Sequence, residues 1–154
     1  VLSRIESANR GRLDELSAVM RYTIISGYKK VTEEFGDTKK VVIAGNTTMV
    51  HLLMGYSCGT LGEYPFKSKH LGTLKTTLDK VTKSKVSPIE TVIYGGISAF
   101  VGGDIVSGLY MSDFDKSDKV NMFIDLGTNG EMALGNKDKM VWPWRSTLCR
   151  RTCF

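Results

Sequence analysis

Cysteine and proline are both scarce, with three of each in 154 residues. Cys58, Cys149 and Cys153 form no Cys-x-x-Cys pair, no zinc spacing and no ferredoxin-type cluster spacing. Thiols so few, and odd in number, fit a reducing cytoplasm and argue against a disulfide framework. No apolar run approaches the roughly 20 residues that cross a bilayer. Val1 opens directly into VLSRIESANRGRLDEL, without a charged leader and apolar signal core, so no membrane role is expected. An initiator methionine is lacking too, which suggests that the segment begins inside a longer protein or behind a removed tag. A concentrated basic patch is the last absence. The formal net charge is +5, but the lysines fall in pairs (Lys29-Lys30, Lys39-Lys40) or singly, as at Lys67, Lys69, Lys80, Lys83 and Lys85. No basic block interleaves with aromatics, which argues against a nucleic-acid partner.

What is present suffices for a packed core: 42% of the residues are hydrophobic and 16 are glycine. Leu13, Leu16, Met20, Ile24 and Val31 recur at helical spacing, with Val19, Ile25 and Tyr28 widening the stripe, and Gly36-Asp37 ends that amphipathic helix. Val41 to Ala44 reads as a buried strand. Gly45 then turns the chain, and Asn46 or Thr47 can cap a helix running through Met49, Val50, Leu52, Leu53 and Met54. The stretch from 56 to 90 is less regular: a loop around Pro65, then one short helix or strand near Leu74 to Val81. IETVIYGG is the next strand, and ISAFVGGDIVSGLYMSD is a turn feeding a short helix with Ile105, Val106, Leu109 and Tyr110 inward. Residues 119–141, KVNMFIDLGTNGEMALGNKDKMV, read as strand, turn, strand, turn, strand. Alternating helices and strands that finish in an antiparallel hairpin make an α/β architecture.

The hairpin poses the chemical question. Thr128, Asn129 and Gly130 suit a bare turn, because Asn and Gly tolerate positive φ. A bare turn leaves Asp125 unexplained, since at period two it shares a face with Phe123 and a carboxylate taken out of water is costly. A nucleotide phosphate with Mg²⁺ would answer that. Gly127 and Gly130 permit close backbone approach, the amides of Thr128, Asn129 and Gly130 can face phosphate oxygens, and Asp125 can hold metal-bound water.

Other segments read two ways. Gly45, Asn46 and Thr47 either cap the following helix or offer its N-terminus to an anion. Asp104, after Gly102-Gly103, either caps the next helix or faces a ligand. His51 and His70 lack a second ligand at helical spacing and read as packed or surface residues, while Tyr64 and Phe66 of EYPF read as core and rim.

Four blocks, VLSRIESAN, IAGNTTMVHLLMG with LGEYPF behind it, FVGGDIVSGL and FIDLGTNGEMALGN, occur together and in order. In this the chain resembles the reductive activators of corrinoid-dependent enzymes, over Val1 to about Val141. The resemblance implies a partial ribonuclease-H-like lobe of the actin-like ATPase superfamily, a mixed sheet with flanking helices. Residues 1–119 would be the second half of the first lobe, with a connecting helix near 102–112, and residues 120–141 would be the phosphate-binding hairpin that begins the second lobe. It implies ATP and Mg²⁺ at Asp125, Gly127, Thr128, Asn129 and Gly130, with Gly45, Asn46, Thr47 and Asp104 as secondary cleft residues. It further implies ATP-coupled return of corrinoid cobalt to Co(I), with electrons entering through a 2Fe-2S cluster in an N-terminal region that this sequence does not contain. The expected partner is a corrinoid protein or corrinoid-dependent methyltransferase. A non-catalytic module docking such a partner through GEYPF, or a small-molecule kinase of the same superfamily, are the alternatives. A truncated lobe with an open sheet edge can also dimerise or exchange strands with a second copy.

The C-terminus departs from this family. Where it continues into an Ala-Ala-Gly-Pro-Ala-Phe-Glu loop, the chain ends in WPWRSTLCRRTCF. Read from the second nucleotide of each codon, Cys149 to Phe154 permits Ala or Val, Ala, Gly, Pro, Ala or Val, and Phe or Ser. The expectation is a frameshift between about Val141 and Cys149, leaving residues 142–154 as a non-native tail.

Overall fold

The computed structural model describes residues 1–126 and 130–141. They divide into two compact units, Val1 to Asp104 and Ile105 onward. No helix among the described residues is long and apolar enough to cross a membrane.

The first unit opens with α1 (Leu2–Ser7) and the long α2 (Leu13–Phe35). The wide turn Ala8–Arg12 separates them, and there Gly11 takes φ +90°, a conformation that costs glycine little. Asp14 and Glu15 occupy the first turn of α2, where negative charge suits the helix dipole. Leu13, Leu16, Met20 and Ile24 pack against the core as the periodicity predicts. Val19 and Val31 do not, and both are exposed. Val19 lies well round the helix from the Leu16-Met20-Ile24 face. Val31 is on that face, but the helices that cover α2 are too short to reach it.

Three strands form the sheet of this unit: β1 (Lys40–Ile43), β2 (Leu74–Thr77) and β3 (Glu90–Ile93). β3 is central, parallel to β1 and antiparallel to β2. Its residues Thr91, Val92 and Ile93 are all buried, as a strand flanked on both edges should be. A parallel pair needs a long crossover. Here the crossover carries α3 (Thr47–Met54), a loop, β2 and the short α4 (Leu78–Thr82). Where the sequence predicts one short helix or strand, both form, and the change of pattern falls at Thr77, whose successor Leu78 is fully buried. Leu53, Val81 and Ile93 make one core, and Ile5, Ala8, Leu52, Cys58 and Leu61 make another.

Two strand-to-helix turns interlock beside β3. The amide of Gly103 donates to the carbonyl of Gly45 at 2.9 Å, and that of Tyr94 to the carbonyl of Ile43 at 2.9 Å. Gly102 lies so close that an added Cβ would stand 2.7 Å from both the Gly45 carbonyl oxygen and the Thr47 amide. From this lock starts α5 (Gly103–Met111), which continues into the second unit.

In the second unit β4 (Asn121–Leu126), β5 (Gly130–Gly135) and β6 (Met140–Val141) form an antiparallel meander. One face carries Phe123 and the fully buried Ala133. Gly108 of α5 meets the Phe123 ring, which an added Cβ would approach to 2.6 Å. The other face exposes Met122, Ile124, Leu126, Leu134 and Val141. Ile105 and Leu109 are buried as expected, whereas Tyr110, over a third of a turn from their shared face, is exposed beneath the Lys116 ammonium.

The lock makes a measurable claim. Gly102→Ala should destabilise the chain by about 1–3 kcal/mol through overpacking against backbone. Gly27→Ala, in the middle of α2 with nothing within 4 Å of an added Cβ, should instead stabilise it by about 0.5–1 kcal/mol. Urea unfolding of both variants checks the sign and the ranking.

Candidate functional site

The register of the hairpin decides what surrounds Asp125. Leu126 pairs with Gly130, so Asp125 stands directly opposite Glu131, one residue below the bend on each strand. Both side chains are half-buried and share the face that carries Phe123 and Ala133. Directly opposed residues hold their Cβ atoms roughly 4.5–5.5 Å apart, and like charges so placed are destabilising. Gly127, Thr128 and Asn129, the centre of the predicted phosphate loop, lie outside the described residues. Sequence reading missed Glu131. The signal lay in the register, since pairing of Leu126 with Gly130 places residue 131 across from residue 125.

The remaining predicted site residues, Gly45, Asn46, Thr47 and Asp104, are gathered in the first unit. Asn46 is the cap of α3: its side-chain oxygen accepts the Met49 amide at 2.9 Å. The Thr47 hydroxyl donates to the Ser98 carbonyl at 2.7 Å, and Thr47 and Thr48 are both buried. With the Gly45 carbonyl taken by Gly103, the polar groups of this turn are spent on holding the turn that leads into α5. Asp104 occupies the first turn of α5, where its charge complements the helix dipole.

His51 is a packed residue, as expected. Its Nδ1 lies 2.8 Å from the Thr47 carbonyl and therefore carries the proton, which leaves Nε2 as the acceptor toward the Ser68 hydroxyl at 3.3 Å. Burial lowers its pKa, outweighing the Thr47 carbonyl, which favours the protonated form; the neighbouring His70 lowers it further. His70 is exposed and stacks on Tyr56 at 3.9 Å between ring centroids. Cys58 is buried and its thiol pKa is raised by desolvation, which makes it unreactive. No group of three or more metal-ligating side chains occurs among the described residues. A cavity of about 480 Å³ in the second unit is lined by Asp113, Lys116, Asn121 and Phe123 among others. It lies toward the Asn121 end of β4, away from Asp125, so the bend and not the cavity is the candidate for anion and metal chemistry.

Comparison with known proteins supplies the family. Residues 1–117 match the RACo middle region. The chain belongs to that family. As a RACo middle region it is 33% identical over 149 residues to the corrinoid activation enzyme RamQ of Eubacterium limosum, covering 90% of this chain and 24% of that protein. A solved structure of a reductive activator for corrinoid, iron-sulfur protein superposes with a TM-score of 0.83 at 32% identity, covering 91% of this chain and 23% of that one. The chain thus spans about a quarter of the length of these relatives. The resemblance to corrinoid reductive activators and the α/β class are both borne out. The RACo middle region match ends just before β4, so the facing carboxylates lie beyond it.

His51 gives this region a pH signature. Its folded-state pKa is depressed from 6.5, so the stability it confers is complete above that value. As the pH falls below it, the unfolded chain takes up a proton that the folded chain refuses. Denaturation midpoints should therefore fall between about pH 7 and pH 5, and His51→Gln should flatten that slope while lowering stability at pH 7.

Proposed function

We propose that this chain is part of an ATP-dependent reductive activator that returns the corrinoid cofactor of a methyltransferase system to Co(I), with the nucleotide held at the hairpin. The observation that carries this reading is Asp125 facing Glu131 one residue from the Leu126–Gly130 pair. Two half-buried carboxylates fit the hydrated shell of Mg²⁺, which retains several waters and is held by one or two carboxylates plus substrate phosphates. The ion would supply neutralisation of phosphate charge. Gly127 and Gly130 would admit the phosphates close to the backbone, and Thr128 and Asn129 would add donors. In this chemistry the protein chiefly positions groups and stabilises charge. Gly45, Asn46, Thr47 and Asp104 enter as bracing residues, because the turn is already engaged within the fold.

The finer architecture belongs to the same proposal: a partial ribonuclease-H-like lobe in residues 1–119 and the start of a second lobe in residues 120–141. Division of the described residues between Asp104 and Ile105, inside α5, supports α5 as the connecting helix. The partner would be a corrinoid protein or corrinoid-dependent methyltransferase, and the electron would enter through a 2Fe-2S cluster elsewhere in the parent protein.

Titration with Mg²⁺ and ATP tests the site. Amide shifts should centre on residues 125 to 131, and Asp125→Asn and Glu131→Gln should each weaken binding by about tenfold or more. Asp125→Asn should leave the apo chain as stable or slightly more so, because it relieves the like charge opposite Glu131. Shifts that bypass the hairpin would overturn the reading. Turnover by this chain alone should be weak or undetectable, since its sequence lacks the first phosphate loop, of Asp-x-Gly-Thr-Thr type, that the family resemblance implies alongside this hairpin.

We also propose that a second copy covers the open face of the β4-β5-β6 sheet. Antiparallel sheets normally put polar residues on an uncovered face, and this one carries Met122, Ile124, Leu126, Leu134 and Val141. Sedimentation should show a concentration-dependent dimer that Ile124→Lys or Leu134→Lys converts to monomer.

A further inference from the structure

Away from the hairpin, two loops of the first unit hold aromatic rings against solvent. Tyr64 is 88% exposed, Phe66 36% and Phe100 48%. The three are in contact: Tyr64 meets Phe66 edge-on with centroids 6.2 Å apart, and Phe66 meets Phe100 at 5.4 Å. The sequence reading placed Tyr64 and Phe66 in core and rim, and the structure corrects this: both rings are exposed, and neither packs on the cluster of Ile5, Ala8, Leu52, Cys58 and Leu61. The loop is built to present them. The Phe66 amide donates to the Glu63 carbonyl at 2.7 Å, and the Thr60 hydroxyl to the Lys67 carbonyl at 2.5 Å. Ser98 accepts the amides of Phe100 and Val101, pinning the second loop. Phe66 itself sits at φ +53°, a left-handed conformation rare for a bulky side chain. Backbone held against its preference so that a ring stays in water is not explained by folding, and such strain is found where a surface is used.

The charge beside the rings indicates what they meet. Lys67 and Lys69 leave the same loop exposed, with no ion pair among the described residues, against one loop carboxylate, Glu63. Exposed, preorganised aromatics flanked by uncompensated cations match the anatomy of an anchor for an apolar pocket with an acidic rim. We propose that Tyr64, Phe66 and Phe100, steered by Lys67 and Lys69, form the docking surface for the corrinoid-bearing protein partner, whose contact face is an apolar recess bordered by carboxylates. Only the partner's identity rests on the function proposed above; the surface rests on its own geometry.

The test uses the whole chain and a corrinoid iron–sulfur protein as probe, with binding measured by calorimetry in the absence of nucleotide. Tyr64→Ala combined with Phe66→Ala should weaken binding about tenfold or more. Lys67→Glu combined with Lys69→Glu should weaken it several-fold and remove most of the loss that wild type shows between ~50 and ~300 mM salt. Phe66→Gly separates docking from folding: it relieves the left-handed φ, so the thermal midpoint should hold or rise while affinity falls, whereas a structural Phe66 would lower the midpoint. Unchanged affinity in these variants, or no binding by wild type, overturns the proposal. So does ring-dependent binding to anionic vesicles, which assigns the patch to lipid, or ring-dependent self-association, which assigns it to a second copy. Mg²⁺-ATP titration of the same variants keeps the two proposals apart, because docking can survive a failed nucleotide site and the nucleotide site can survive failed docking.

Discussion

The bond from the Gly103 amide to the Gly45 carbonyl is the constraint on which the first unit depends. It closes two strand-to-helix turns on each other with no side chain between them, because Gly102 and Gly103 bring backbone against backbone. That contact sets where α5 begins. It also explains why the turn after β1 has little left for a ligand: Asn46 caps α3, the Thr47 hydroxyl reaches Ser98, and Gly102 lies across both. A helix N-terminus capped by its own Asn46, with Gly102 packed against its first backbone atoms, differs physically from one open to an anion.

The hairpin presents a different case, in which strand register sets Asp125 opposite Glu131. Opposed carboxylates on the half-buried face of a meander would ordinarily be replaced by a neutral or oppositely charged pair. Neither side of the sheet has the usual composition. One face holds Asp125 and Glu131 at its tip with Phe123 and Ala133 below, and the other is apolar and exposed. Each departs from what a self-sufficient antiparallel sheet would carry. Under the function proposed above both departures have the same physical sense: a cation with its anion would complete the tip, and a second copy would cover the back.

Local rules made much of this legible before any coordinates. A stripe at i, i+3, i+4 and i+7 located α2, a β-branched run located β1, and Asn46 capped α3 as its type predicts. Alternation about Gly127 to Gly130 announced the hairpin. What stayed hidden depended on partners distant in sequence. Val19 and Val31 fit a helical stripe on paper, but which arc is covered, and for how many turns, is set by the lengths of α3 and α4. Tyr110 lies about a third of a turn from the Ile105–Leu109 face, and its apolar ring alone does not say which arc of the helix is covered. Residues 74 to 82 support either a strand or a helix, and tertiary burial of Leu78 converts one into the other within a step. Glu131 was visible in principle but gains its meaning from register, which comes from pairing and not from neighbouring residues.

Tyr64 and Phe66 show a further limit. Aromatic residues are placed inside by default because burying a ring is favourable, and that default held here until backbone geometry opposed it. A φ of +53° at Phe66 is set by the loop's own hydrogen bonds to Glu63 and Thr60, so exposure of the ring follows from how the main chain closes. Hydrophobic pattern and backbone strain are independent sources of information, and only the first can be read from residue types. Where the two conflict, the positive φ marks a position where glycine would relieve the backbone and the ring is kept instead.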